Sequence, residues 1–393
     1  MSELSLRKTF KEKLRPTPTQ ERQLEAVLWR CRTLYNTALE QRITLYRQRG
    51  ISVSRYQQEA ELKALRAAYP EYAALHSHIL QDVLARLDRT YQAFFRRLQR
   101  GEKAGFPRFK GRSGNAFHSF TFKEYGNGAR LENGVLVLAK IGRIAVRGSR
   151  PIAGTPKTVT VSREADGWYV AISCADIPVQ ALPATGQETG IDLGLESFAT
   201  LADGSSIANP RIFRVAELHL KRAQRRASRR VKGSHRRRKA VKLLAKAHQH
   251  LRRQRADFHH KTALALVRQY DTYYHEDVQV ANLVRNHALA KSISDAGWGQ
   301  FCTILAFKAA YAGKRVGAVP PAYTSQVCSG CGVIVQKGLS VRWHLCPDCG
   351  TSLHRDHNAA LNILRLGQTQ SHEYSGPGYG LQALTQPVGA DVA

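Results

Sequence analysis

The chain has 393 residues, with 60 Lys and Arg against 30 Asp and Glu, a formal charge of +30 and a pI near 10.2. Hydrophobic residues make up 43%, which excludes global disorder, and a charge of that size points to a polyanion partner, nucleic acid above all. No apolar run approaches the roughly 18 residues of a membrane span, so no membrane partner is expected.

The opening Met1–Arg15 lacks the apolar stretch of a secretory signal. The expected compartment is the prokaryotic cytoplasm, with the protein nucleoid-associated when it holds DNA. The seven cysteines stay reduced there and point to metal rather than disulfides.

Residues Leu4–Lys13 alternate weakly, as a strand would, and Pro16-Thr17-Pro18-Thr19 stops them. Thr19 followed by Gln20-Glu21-Arg22 reads as a helix start. From there to about Arg100 the period is helical. Leu24, Val27, Leu28, Cys31, Leu34 and Tyr35 form one stripe; Leu80, Val83, Leu84, Leu87, Tyr91, Phe94 and Phe95 form another. Both are expected core. Arg22, Arg30, Arg32, Arg86, Arg89, Arg96, Arg97 and Arg100 lie on the opposite faces, available to solvent or phosphate.

Gly105–Arg112 is a basic loop in which Arg108 and Lys110 alternate with Phe106 and Phe109, a mixture suited to stacking on bases and contacting phosphates. The period then becomes two. Strands are expected over 117–123, 134–140, 143–147, 157–163 and 168–174, with Asn133-Gly134 and Asp166-Gly167 as turns. With the first strand they suggest a small β-barrel interrupted by the helical segment. Pro178–Gln187 reads as a linker.

Gly190-Ile191-Asp192-Leu193-Gly194 is an apolar strand with one carboxylate. Ile191 and Leu193 face one side and Asp192 the other. A hairpin follows, 198–202, Asp203-Gly204, then 205–208. That order is how an RNase H-like nuclease core begins, and such a core needs two more acids from distant sequence.

Over His219–Arg255 there are sixteen Lys or Arg and no Asp or Glu. Leu218, Ala223, Ala227 and Val231, then Val241, Leu244, Ala247 and Leu251, keep helical spacing, and Lys232-Gly233-Ser234 separates them. Two long basic helices are expected. Their candidate phosphate contacts are Arg222, Arg225, Arg226, Arg229, Arg230, Arg236, Arg237, Arg238 and Lys239.

Residues 272–281 form the next strand and offer Glu276 or Asp277; adjacent residues face opposite ways, so only one enters a site. Ser294-Asp295 is expected to cap a helix over 296–312, and 315–322 to be a strand. Cys328-x-x-Cys331 and Cys346-x-x-Cys349 complete a closed tetrahedral shell for one structural Zn²⁺, which makes His344 and His354 unnecessary as ligands. Cys31, Cys174 and Cys302 sit in apolar-periodic segments and are expected simply to be buried. Arg355-Asp356-His357-Asn358 opens the last helix, placing Asp356 at its N-cap or first turn and Asn358 and Asn362 on one face. No Lys or Arg occurs from 366 onward, and the tail, 367–393, is expected to be disordered.

Phosphodiester hydrolysis needs an activated water and a stabilised leaving oxygen. Two Mg²⁺ about 4 Å apart, held by hard carboxylate oxygens, supply both. Asp192, Glu276 and Asp356 occur in the order such a core requires: strand, hairpin, helix, strand, helix, strand, helix.

At this point the chain resembles the transposon-encoded TnpB nucleases, also called OrfB transposases, over nearly its whole length. The resemblance rests on Lys8–Pro18, Pro107–Lys110, Gly190–Gly194, the Glu276-Asp277 strand, Trp298–Phe301, Tyr323–Gly332 and Arg355–Ile363. His354 departs from the Asp that many relatives carry there. The resemblance implies an α+β multidomain protein with an RNase H-like RuvC core and an inserted zinc ribbon. Its divisions are a wedge β-barrel (1–16 and 105–182), a helical recognition lobe (17–104), the nuclease domain (183–323 and 352–366) and a target-nucleic-acid-binding zinc ribbon (324–351).

It also implies that Asp192, Glu276 and Asp356 form a catalytic triad and that a guide RNA from the transposon end is bound. Double-stranded DNA would be cut beside a short transposon-adjacent motif by a chain that is monomeric in the complex. Miniature type V CRISPR nucleases share this core. Two other activities would use the same residues: strand transfer by the same acids, or RNA-dependent DNA binding without cleavage.

Overall fold

The computed structural model describes residues 6–111, 116–148, 151–338 and 340–373. Arg112 of the basic loop and most of the expected tail, 374–393, lie outside the described residues. The chain divides into one unit ending at Pro178 and a second beginning at Val179.

In the first unit β1 (Leu6–Arg15) leads into α1 (Pro18–Arg49). The helix starts two residues earlier than its sequence suggests. Thr17 is the N-cap and forms a capping box with Gln20, because Pro18, lacking an N–H, fits the first helical position without loss. Gly50, at φ +65°, ends it. Then come α2 (Arg55–Ala68), α3 (Pro70–Ala73) and α4 (Ser77–Gln99).

The first stripe is buried throughout, as are Leu80, Val83, Leu84 and Leu87. The second stripe's aromatic end is not core. Tyr91, Phe94 and Phe95 instead cluster with Phe106 of the basic loop at centroid distances of 5.2–6.2 Å. The apolar partner needed to bury that last turn is only a short loop, and Phe95 remains 53% exposed.

The strands β2 (Ser119–Phe122), β3 (Ala129–Glu132), β4 (Val135–Leu138), β5 (Gly142–Arg147), β6 (Thr155–Glu164) and β7 (Gly167–Ile177) join β1 in one antiparallel sheet. Its order is β2-β6-β7-β1-β5-β4-β3. The N-terminal strand is thus central, between β5 and β7, and helices α1 to α4 are inserted between it and β2. β3 escapes a sequence reading because its four residues include Arg130 and Glu132; it forms by pairing with β4. Several of the arginines offered to phosphate are engaged within the unit, Arg22, Arg89 and Arg97 among them. Arg86 donates to the Ser119 carbonyl at 2.9 Å and the Thr121 hydroxyl at 3.1 Å, and Arg32 to the Lys110 carbonyl at 2.9 Å.

In the second unit the stretch 180–187 is strapped to the base of a sheet. Leu182 N–H donates to the Ala312 carbonyl, and Thr185 and Gly186 N–H both donate to Asp271, which also pairs with Lys314. The sheet contains β8 (Glu188–Asp192), β9 (Ser197–Leu201), β10 (Ser206–Ala208), β11 (Thr272–Glu276) and β12 (Arg315–Val319) in the order β10-β9-β8-β11-β12. β8, β11 and β12 run parallel; β9 and β10 are antiparallel.

The helices are α5 (Ile212–Ser228), α6 (His235–Gln269), α7 (Val280–Leu283), α8 (His287–Ala296), α9 (Trp298–Tyr311) and, after the hairpin β13 (Trp343–Leu345) and β14 (Ser352–His354), α10 (Arg355–Glu373). One face of the sheet carries the main core, in which Ile191, Phe198 and Tyr273 meet Leu266, Trp298, Phe301 and Leu305. The other carries α10, where Ile363 and Leu364 meet Tyr274 and Val319.

Three expectations change here. Asp295 does not cap α9, whose N-cap is Gly297; it lies in the last turn of α8 and accepts the Phe213 N–H at 2.8 Å. It thereby supplies from a distance the acceptor that Arg211, the N-cap of α5, lacks. The two basic helices form and break at the expected place, with Ser234 as the second N-cap, but they are buried along Leu220, Ala227, Ala240 and Leu251. Leu218, Val231 and Val241 are exposed, because α5 and α6 pack mainly on each other and cover a narrower strip than their apolar content offers. Finally, α10 continues to Glu373, so 367–373 are helical.

Candidate active site

The site is built by period-two alternation on β8 and β11. Ile191 is buried in the core, so Gly190 and Asp192 look to the opposite face, where α10 lies. A Cβ on Gly190 would fall within 2.6 Å of the Leu364 nitrogen and closer still to the Ala360 carbonyl, so only glycine lets the helix backbone come this near. The helix runs back along the strand. Gln368 donates to Glu188 at 3.0 Å, Ala360 and Leu364 cover Gly190, and the first turn reaches the strand's end, where a Cβ on Gly194 would stand 3.8 Å from Asp356 Oδ2.

Parallel pairing aligns Tyr274 with Gly190 and His275 with Ile191, so Glu276 comes level with Asp192 on the same face. This settles the choice on that strand: Glu276 is half-buried at the site, and Asp277 is exposed. The three acids therefore converge from β8, β11 and α10. Burial pushes the Asp192 carboxyl well above the usual carboxylate range; Glu276 and then Asp356 push it further, and Arg355 opposes them. Burial raises Glu276 as well, against a hydrogen bond from the Thr324 hydroxyl that lowers it.

Gly190→Ala is expected to force α10 off the strand, at a cost of about 1–3 kcal/mol. Thermal unfolding checks the stability.

The four cysteine sulfurs lie within 4.8 Å of one another, with Cys328–Cys349 at 3.6 Å and Cys331–Cys346 at 3.5 Å. Tetrahedral coordination at a Zn–S distance near 2.3 Å requires sulfurs about 3.8 Å apart, so the cage fits zinc. His344 is buried beside the cage but is not needed as a ligand.

The segment leading into the cage is pinned to α10 by residues whose roles the sequence alone did not assign. Asn358, fully buried, donates to the Val327 carbonyl at 2.7 Å and accepts the Ser329 N–H at 2.9 Å. Asn362 donates to the Thr324 and Val327 carbonyls at 2.9 and 2.7 Å. Their four-residue spacing was the available signal.

Of the candidate phosphate contacts, Arg222, Arg225, Arg226, Arg229 and Arg230 line one open cavity of about 490 Å³, bounded by no acid. Arg236, Arg238 and Lys239 are exposed at the start of α6. Arg237 is a correction: its guanidinium donates to the Ala227 and Arg230 carbonyls at 3.1 and 3.0 Å and closes the end of α5. In the first unit Arg108 is exposed, whereas Lys110 lies over the Tyr35 ring, its backbone clasped by Asn36.

Among known proteins, residues 159–287 match a family described as "Probable transposase", and 298–363 match one described as "Cas12f1-like, TNB domain". Residues 1–50 match a "Helix-turn-helix domain", although the described residues there fold as a strand and one long helix. The chain is 36% identical over 377 residues to a "Putative RNA-guided DNA endonuclease" of Streptomyces pristinaespiralis, covering 93% of this chain and 90% of the relative. It is 31% identical over 386 residues to "Putative RNA-guided DNA endonuclease InsQ" of Escherichia coli (strain K12), covering 91% and 92%. Among solved structures, the protein of a Cas12f1–sgRNA–target DNA complex superimposes with a TM-score of 0.55 at 13% identity, over 91% of this chain and 98% of that one, a likeness of fold. Among the described residues no helix is long and apolar enough to cross a membrane.

Proposed function

We propose, from the premise that this chain belongs to the TnpB family of transposon-encoded RNA-guided DNA endonucleases, that Asp192, Glu276 and Asp356 are the acids with which it cuts DNA. One observation carries the assignment. Three carboxylates from three distant segments meet at one end of a parallel strand pair, and two of them raise the third. Acids crowded in this way suit divalent cations, and their hard oxygens suit Mg²⁺. The chemistry that two bound Mg²⁺ supply is activation of a water and stabilisation of the leaving oxygen. Asp192, Glu276 and Asp356 would together hold the cations.

The strand order and the acid positions support a RuvC-like nuclease domain. The antiparallel sheet with its inserted helices corresponds to a wedge barrel carrying a recognition lobe. The four cysteines hold one structural Zn²⁺. The guide is an RNA from the element end, and the target is double-stranded DNA beside a short adjacent motif. Sequencing the RNA that co-purifies with the chain, expressed beside its native flanking DNA, tests the guide. Cleavage of a matching plasmid with Mg²⁺ or with EDTA tests the metal. A discrete RNA running past the element boundary and cutting only with Mg²⁺ are the expected results. Strand-transfer product formed without RNA would overturn them.

The arginine-lined cavity on α5 is assigned to the guide or heteroduplex backbone. Replacing Arg225, Arg226 and Arg229 with Ala removes three phosphate contacts. The slope of log affinity against log salt for guide binding should become shallower by about 2–3, at about 0.7–0.9 per contact. An unchanged slope would move the RNA elsewhere.

A further inference from the structure

Thr324 follows β12 by five residues and precedes the first cysteine of the cage by four. It is 4% exposed, and its hydroxyl donates to Oε1 of Glu276. A hydroxyl has one proton. The Pro321 carbonyl, at 3.3 Å, is the weaker competitor for it, so the carboxylate takes the bond. The threonine is itself held from behind, where its carbonyl accepts from Asn362 at 2.9 Å. The rest of the ribbon is fastened to the same helix. Arg355 donates to the Gly338 carbonyl at 3.0 Å and the Ser325 hydroxyl at 3.1 Å, and its N–H donates to the Arg342 carbonyl at 2.8 Å. The turn that carries Asp356 is therefore also the turn on which the ribbon is seated.

We propose that Thr324 is a positioning residue for Glu276, through which the seating of the four-cysteine ribbon on α10 sets the geometry of the carboxylate cluster. The inference rests on the three-acid reading above. One oxygen of Glu276 is tethered by the hydroxyl, which restricts rotation of the carboxylate and leaves Oε2 outside that bond. Without the tether the side chain rotates, and its donor no longer stands where a cation shared with Asp192 needs it. Guide binding, assigned to the arginines of α5, is untouched.

The test compares Thr324→Val, which keeps the shape and removes the hydroxyl, with Thr324→Ser, which restores it. Both are full chains carrying guide RNA. The valine variant should cut about 10- to 100-fold more slowly and need more Mg²⁺ for half-maximal rate, with guide affinity unchanged. The serine variant should recover most of the rate.

A readout independent of DNA cleavage is Fe²⁺ substituted for Mg²⁺. With peroxide and ascorbate it cuts the protein backbone near the site that holds it. Fragments ending near 192, 276 and 356 should be strong in the unaltered and serine proteins and weak in the valine one. Zinc content is measured alongside. If valine displaces the ribbon and zinc is lost, Thr324→Ala takes its place, with the same loss expected at one zinc per chain.

Thr324→Val with unaltered rate and Mg²⁺ dependence, beside an inactive Glu276→Gln, would overturn the positioning role alone. An active Glu276→Gln would overturn the three-acid reading and the proposal with it.

Discussion

Asp192→Ala is expected to abolish target cleavage while guide RNA and target DNA still bind. Both other acids act on Asp192, so on the proposed assignment its loss removes a central donor of the cluster. Metal-borne stabilisation of a phosphodiester transition state is worth several kcal/mol; losing about 4 kcal/mol slows the reaction by about 10³-fold. Binding should persist because the arginines that line the α5 cavity are not among the groups that act on Asp192. Single-turnover cleavage of a labelled duplex gives the rate, and mobility shift in Ca²⁺ gives the affinity. Stability offers a second check. Burial and two neighbouring carboxylates disfavour a charge on Asp192, so without divalent cation the alanine protein should melt at a higher temperature than the unaltered one. Cleavage within tenfold of normal would refute the assignment.

Loss of the cysteine cage should be as severe by a different route. The ribbon's regular structure among the described residues is one hairpin of two three-residue strands, and the residues it buries are chiefly Cys328, His344 and Cys346. So small a body has no core to hold it without metal, and structural zinc contributes an apparent ~10–16 kcal/mol in comparable peptides. Cys346→Ser is expected to reduce bound zinc from one per chain to none, measured by atomic absorption. It should also open 324–351 to limited proteolysis and reduce cleavage at least about 100-fold, because Thr324 and the Asn358–Asn362 anchors lose their counterpart. Guide binding through α5 and α6 should survive. A zinc-free, protease-resistant ribbon would show that the cage is dispensable.

Local signals in the chain were strong wherever chemistry and periodicity coincided. Alternation placed Ile191 inward and Asp192 outward, and the Cys-x-x-Cys pairs needed no partner beyond their own spacing. The stop at Gly233-Ser234 marked the break between α5 and α6 because a serine N-cap acts over three residues. Signals failed where the deciding neighbour was distant. Asp295 resembles a local cap but binds Phe213, and Arg237 resembles a phosphate contact but closes the preceding helix. Tyr91, Phe94 and Phe95 continue a core stripe beyond the point where a partner covers it.

The sequence by itself determined the charge, the basic helices, the cage and the three acids as separate pieces, because each depends on residue type and on spacings of a few residues. Only the tertiary structure decided how the three acids and the cage come together. Parallel pairing brought Glu276 level with Asp192, and a missing side chain at Gly190 let α10 lie close enough to deliver Asp356. Buried hydrogen bonds from Asn358, Asn362 and Thr324 joined the ribbon to that helix and to Glu276. Each of these is a contact between segments dozens to more than a hundred residues apart. Spacing along a chain carries no information about such contacts until the sheet register and helix packing have brought the segments together.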